Sequence, residues 1–193
     1  MLDLPQDILI FNKQLMNTEH FLQAYIQPVL YVLNKANQAL DTHKISKILY
    51  FADREHLAKY GTSISNDCYI KMEYGPVPSS IYDIIKAVHG KPGIISKSEV
   101  DSFFEVSEGN KIAAKLNFDQ DEFSVTEMEC LDASIEEHLS KSFIYLTYKS
   151  HDVAWKSAID TMDTIKIAEA GGADENMLNY IRHFNEINTS RFA

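Results

Sequence analysis

The chain has only two cysteines in 193 residues, Cys68 and Cys130, with no paired spacing. That scarcity rules out a disulfide framework or a cysteine-based zinc site and fits reduced thiols in the cytoplasm. No apolar run is long enough to cross a bilayer. The first residues, MLDLPQDILIF, are acidic rather than basic before their apolar stretch, which speaks against a secretory signal, and Leu2 excludes N-myristoylation. Positive charge is also scarce. Eighteen Lys and Arg stand against 28 Asp and Glu, a net charge of −10, so the field opposes polyanions within a Debye length. No glycine-rich phosphate loop, no nucleophile elbow and no metal-ligand spacing is present, so neither a cofactor nor a metal is expected. Repeats, low-complexity tracts and long linkers are absent too. With 45% hydrophobic residues, the chain can build one substantial core.

What is present is concentrated between residues 44 and 82, KISKILYFADREHLAKYGTSISNDCYIKMEYGPVPSSIY. Placed at 100° intervals, Ile45, Ile48, Leu49 and Ala52 form one apolar stripe of a helix over 44–60, and His56 falls within that stripe. Asp53 projects about 80° from the stripe centre, between Leu49 and Leu57 one turn to either side. A carboxylate among leucines must find donors, because an unpaired buried charge costs several kcal/mol. Asp53 and His56 are spaced i, i+3, so their side chains can approach. A structural pair that fixes loop backbone is the first reading, with acid–base chemistry and partner binding as alternatives. After the polar loop, Gly75-Pro76-Val77-Pro78 reads as a rigid corner. Pro78 suits a first helical turn, and Ser79 or Ser80 serves as cap for a helix over 79–89.

The remaining pattern is mainly helical. Residues 6–16 suit a short amphipathic helix, and a helix over about 18–39, opened by Asn17 or Thr18, carries Pro28 as a kink or break. Alternation in Phe104 and Val106, and again in Ile112, Ala114, Leu116 and Phe118, flanks Glu108-Gly109-Asn110 as a β-hairpin. Ser124-x-x-Glu127 is a capping box for the next helix. Helices around Trp155, at 162–170 and after Asp174 complete the chain. The fold class expected is mainly α, a compact helical domain with one hairpin, or an α+β winged-helix-like arrangement.

At these positions the chain resembles the Panacea domain, the SocA-like antitoxin domain of bacterial toxin–antitoxin pairs. The resemblance rests on KISKILYFADREHLAKYG (with Asp53, His56, Tyr60 and Gly61), on Asp67-x-Tyr69, on Gly75-Pro76-Val77, and on His151-x-x-x-Trp155, preceded by the helix FSVTEMECLDASIEEHL. It covers roughly residues 25–160. It implies a cytoplasmic, non-enzymatic protein that neutralises an unrelated toxin, encoded nearby, by direct binding, with delivery of that toxin to a protease as a variant of the mechanism. A homo-oligomer is compatible with it. The division expected is an N-terminal extension, 1–20, followed by the domain with its C-terminal helices, 21–193.

The rival of a different class is a winged-helix nucleic-acid-binding regulator. Its third helix, SSIYDIIKAVH, offers one lysine and carries Asp83, and the hairpin tip, Ser-Glu-Gly-Asn, puts an acid where a phosphate would sit. The isolated chain is therefore expected not to bind nucleic acid. The acidic block 119–137 reads either as a solvated helix face or as a surface that steers a basic partner, through Asp119, Asp121 and Glu122, with apolar help from Ile8 and Phe11 in the N-terminal segment.

Overall fold

The structure, a computed structural model, describes residues 18–190. Ile8, Phe11 and the segment 6–16 lie outside the described residues. Helix α1 (Thr18–Ala36) runs unbroken through Pro28 and stops at Asn37, whose φ of 50° leaves helical space. The helix therefore ends three residues before the expected boundary, and the proline neither breaks nor ends it. A two-residue strand, β1 (Leu40–Asp41), leads into α2 (Thr42–Tyr60). The Asp41 carboxylate accepts the Lys44 N–H at 2.8 Å and so caps α2, which starts two residues before the expected boundary at Lys44.

Residues 69–78 are not a bare corner. They form a two-stranded antiparallel sheet, β2 (Tyr69–Met72) and β3 (Gly75–Pro78), in which Tyr69 faces Pro78 and Lys71 faces Pro76. Two prolines are tolerated because β3 pairs on one side only. The far edge of β2 is closed instead by residues 160–162, through Lys71 N–H to Asp160 at 2.7 Å and Met162 N–H to Tyr69 at 2.8 Å. Helices α3 (Ser79–Val88) and α4 (Lys97–Val100) follow, and then the hairpin β4 (Phe104–Val106) and β5 (Lys111–Ala114). β1 pairs with β5, making a three-stranded sheet in the order β1-β5-β4. β5 ends before Leu116 and Phe118. Phe118 instead leaves the sheet and packs its ring 4.4 Å from Tyr31 on α1.

A 3₁₀ turn (Gln120–Glu122) precedes α5 (Val125–His138), which opens with the Ser124–Glu127 capping box, both reciprocal bonds being present. Between α5 and the Trp155 helix lies α6 (Phe143–Ser150), an element that periodicity did not reveal. α7 (Val153–Ser157), α8 (Thr164–Ala170) and α9 (Glu175–Ser190) end the described chain, with Asp174 capping α9 through the Met177 N–H. The molecule is mainly helical with only small sheets, as the sequence implies.

α2 is the axis of this arrangement. Ile45, Ile48, Leu49 and Ala52 enter one core with α1, α3, the hairpin and α5. Tyr50, Phe51 and Leu57, on the opposite side, enter a second core with Tyr69, Leu146, Ala154, Ile167 and Ile181. A helix buried on both sides has no face left for ordinary polar residues. Those it does carry must be satisfied internally.

Candidate functional site

Asp53 has no exposed surface, and its carboxylate is surrounded by donors. Oδ1 accepts the Ile64 N–H at 2.6 Å and the Ser65 N–H at 3.0 Å. Oδ2 accepts the Tyr69 hydroxyl at 2.7 Å and the Ser65 hydroxyl. The loop after α2 is thereby folded back onto its own helix. Tyr69 is fully buried, and burial, then the Asp53 charge, holds its hydroxyl well above the ordinary tyrosine range. His56 does not pair with Asp53. Its Nδ1 donates to the Thr62 carbonyl at 2.7 Å, and its Nε2 lies 3.2 Å from the Thr126 hydroxyl on α5. One helical turn thus ties the loop down twice, by separate contacts. Gly61 ends α2 at φ 79°, and a Cβ there would meet the Tyr180 ring at 2.5 Å, so α9 closes over a position that only glycine fits. The Tyr60 ring leans on His56, 4.8 Å between centroids, with its outer side exposed.

Asp67, the carboxylate of this loop, serves a helix terminus. Its Oδ1 accepts from Cys68 N–H at 2.9 Å and Ser80 N–H at 3.1 Å, and its Oδ2 accepts from Ile81 N–H at 2.9 Å. It is the N-terminal cap of α3, delivered from across the sheet. The cap expected from Ser79 or Ser80 is not formed. Pro78 occupies the N-cap position with no side-chain bond to give, and the Ser79 N–H goes to the Cys68 carbonyl. Burial pushes the Asp67 carboxyl up to about 6 while the N–H donors pull the other way, so the cap is still charged at neutral pH.

Under the Gly75-Pro76-Val77 strand lies a lysine that sequence reading did not single out. Lys47 is buried to 1% exposure, and its ammonium donates to the Pro76 carbonyl at 2.8 Å. Desolvation lowers its pKa from 10.5 to about 7. Gly75 sits directly above. With φ 99°, any Cβ it carried would lie 2.3 Å from Ser150 Oγ and 2.8 Å from Lys47 Cε.

The last motif packs against the same sheet. His151 and Trp155 stack at 3.7 Å with an 8° interplanar angle, and Trp155 Nε1 donates to the Met72 carbonyl at 3.1 Å. Lys71 spans the outer side, 4.6 Å from the Trp155 ring centroid, with its ammonium on the Ala158 carbonyl at 2.7 Å. Asp152, next to His151, turns away from it. Its Oδ2 accepts from Tyr50 at 2.8 Å and from Arg54 at 2.9 Å, while Oδ1 caps α7 through the Ala154 and Trp155 N–H groups. Sequence reading missed Tyr50 and Arg54, whose i, i+4 spacing on α2 was the available signal.

The motif residues therefore converge on one framework around α2 and the β2–β3 sheet, although Asp53, Asp67 and Lys47 are spread through 21 positions of sequence. Its chemistry is that of support. The three carboxylates Asp53, Asp67 and Asp152 each accept at least three hydrogen bonds, and Asp53 and Asp67 are held to backbone that they organise. Among the described residues no three His, Cys, Asp or Glu side chains are arranged to hold a metal ion, and no helix is long and apolar enough to cross a membrane.

The family model for the antitoxin SocA-like Panacea domain matches residues 45–156, more than half of the chain. The chain belongs to that family. The matched span opens on the α2 stripe and closes just after Trp155, so it encloses the whole framework. No curated protein and no solved structure matches the chain.

Proposed function

We propose that this chain is a cytoplasmic antitoxin that neutralises a protein toxin encoded beside it by binding that toxin directly. The observation that carries the reading is the family match over 45–156, spanning a framework whose carboxylates Asp53, Asp67 and Asp152 are held by hydrogen bonds. A fold rigidified by internal hydrogen bonds presents surfaces without needing reactive side chains. No catalytic step is assigned to it, and residues 21–193 are taken as the working domain with 1–20 as an extension.

The candidate partner residues Asp119, Asp121 and Glu122 support an electrostatic role. All three are exposed, and the turn bearing them is pinned to α1 by Phe118 N–H to Asn34 and Asp119 N–H to Gln27, both at 2.8 Å. Much of the rest of the acidic block is committed internally. Asp132 holds Tyr31 and Lys35, Glu127 closes the capping box, and Glu137 pairs with Lys149. Asp119 Oδ1 accepts the Asp121 N–H at 3.0 Å within the turn, which leaves Asp121 and Glu122, with the exposed Glu129 and Glu136, to draw in a basic partner.

The nucleic-acid alternative finds less support. α1, β1, α2, α3 and the β4–β5 hairpin do follow in winged-helix order, with β1 on β5, although the β2–β3 sheet and α4 are inserted among them. The helix that would enter a groove is α3, however. None of its ten residues is in the exposed class, and its one lysine pairs with Asp83. A recognition helix needs a bare face.

The test is growth. The product of the adjacent gene, expressed alone, should arrest cells, and co-expression of this chain should restore growth. Arrest that persists in the presence of soluble, folded chain would overturn the reading. Occlusion and delivery to a protease begin with the same complex, and the toxin's half-life in rescued cells separates them.

A further inference from the structure

Helix α6 carries apolar side chains on two opposite sides but is covered on only one. Leu146 and Ser150 are buried where α6 packs on α2 and β3. The opposite side, about 100–200° around the wheel from Phe143, carries Ile144, Tyr145 and Tyr148. Ile144 is 79% exposed and Tyr148 is 85% exposed. A surface helix ordinarily turns polar residues to water, and single exposed apolar residues need no explanation, but a contiguous group does.

The group extends beyond the helix. Phe143 is half-exposed, stacks on His43 at 4.0 Å and meets the Tyr74 ring edge-on at 5.3 Å. Tyr74, also half-exposed, stands at the turn between β2 and β3. The rings are thus held in place by the buried framework below them, through α2 and the Gly75 strand. Rigid aromatic side chains that lose little freedom on association are the kind that dominate binding energy at interfaces.

The acidic excess of the chain does not extend to this face. Lys141 lies over the Tyr145 ring at 5.6 Å, and Lys149 follows Tyr148. Between Leu139 and Ile159 the single carboxylate is Asp152, which is consumed by Tyr50, Arg54 and the α7 cap. Lys149 is paired with Glu137, and Glu73 is the one acid at the hairpin edge, but Lys141 forms no ion pair among the described residues. A molecule of net charge −10 thus leaves one lysine without an ion pair, Lys141, at the border of this exposed aromatic face.

We propose that this face, α6 with Tyr74, is where the protein toxin docks, through an apolar surface that sets a carboxylate opposite Lys141. The inference rests on the antitoxin reading and adds the place and chemistry of contact. It also separates two roles. The 119–122 carboxylates steer at a distance, whereas the α6 face holds the complex once formed.

The experiment is a kinetic binding measurement between the purified chain and the purified product of the adjacent gene. The Ile144→Ser/Tyr148→Ser double variant removes only exposed atoms and should melt like wild type. Its dissociation should be faster and its affinity lower by about a hundredfold, with little dependence on salt. Lys141→Glu should weaken binding several-fold. Reversing Asp119, Asp121 and Glu122 to lysine should slow association at low salt and leave dissociation unchanged. Wild-type affinity in the folded double variant would overturn the docking proposal while leaving the antitoxin reading intact. Failure of the wild-type chain itself to bind would overturn both. A chain that dimerises through this face, seen as a dimer that the double variant converts to monomer, would assign the face to self-association and also overturn the proposal.

Discussion

Four hydrogen-bond donors converge on the Asp53 carboxylate, and each would be stranded in the core without it. Asp53→Ala should therefore lower stability by about 2–4 kcal/mol, because orphaned buried donors cost more than a bond contributes. Chemical denaturation measures this, and a variant that unfolds at the wild-type midpoint would contradict it. Lys47 presents the opposite case, a cation buried with one carbonyl and no acid. Its folded pKa, about 7, lies below its ordinary 10.5, so between those values the unfolded chain binds the extra proton and folding becomes more favourable as pH rises. Comparison of wild type with Lys47→Met isolates this term. The stability difference should move in favour of wild type between pH 7 and 10, and a difference that stays flat over that range would place the ammonium in water. The two residues were not equally legible. Asp53 stood out on the wheel because leucines bracket it. Lys47 looked like any surface lysine, because what buries it is a strand about thirty residues away.

At the scale of elements, α2 organises two cores and the β2–β3 sheet supplies the lid over Lys47. Gly75 is the position where that lid is thinnest. Gly75→Ala forces a positive φ on a side chain and drives a Cβ into Ser150 and Lys47. The expected loss is on the order of 2–4 kcal/mol by thermal or denaturant unfolding, and a change under about 0.5 kcal/mol would show that the strand can move away. Elements with a local start signal were readable from the chain. The Ser124 capping box, Asp174 before α9 and the α2 stripe are examples. Elements whose cause is distant were not. β3 reads as a corner because it holds two prolines, and only its pairing with β2 makes it a strand. The α3 cap comes from Asp67, twelve residues before Ser79, where local rules look to the adjacent serines. α6 escaped notice because its outer side is as apolar as its inner side, so no helical period is visible. The same feature marks it as a docking face.

The whole molecule is an acidic, mainly helical body of the SocA-like Panacea family, with the buried carboxylates Asp53, Asp67 and Asp152 held by hydrogen bonds. The framework that the family motifs build holds loops, caps and a short sheet, and the proposed toxin contact is accordingly placed on the surface. The claim at the centre is that this surface binds a toxin as an intact, folded partner. The most direct measurement is a calorimetric titration of the purified chain into the purified product of the adjacent gene. The expected result is saturable binding at a fixed stoichiometry with submicromolar affinity, together with loss of the toxin's activity at the same equivalence point. No heat of binding from two folded proteins, or toxin activity undiminished at saturation, would contradict it.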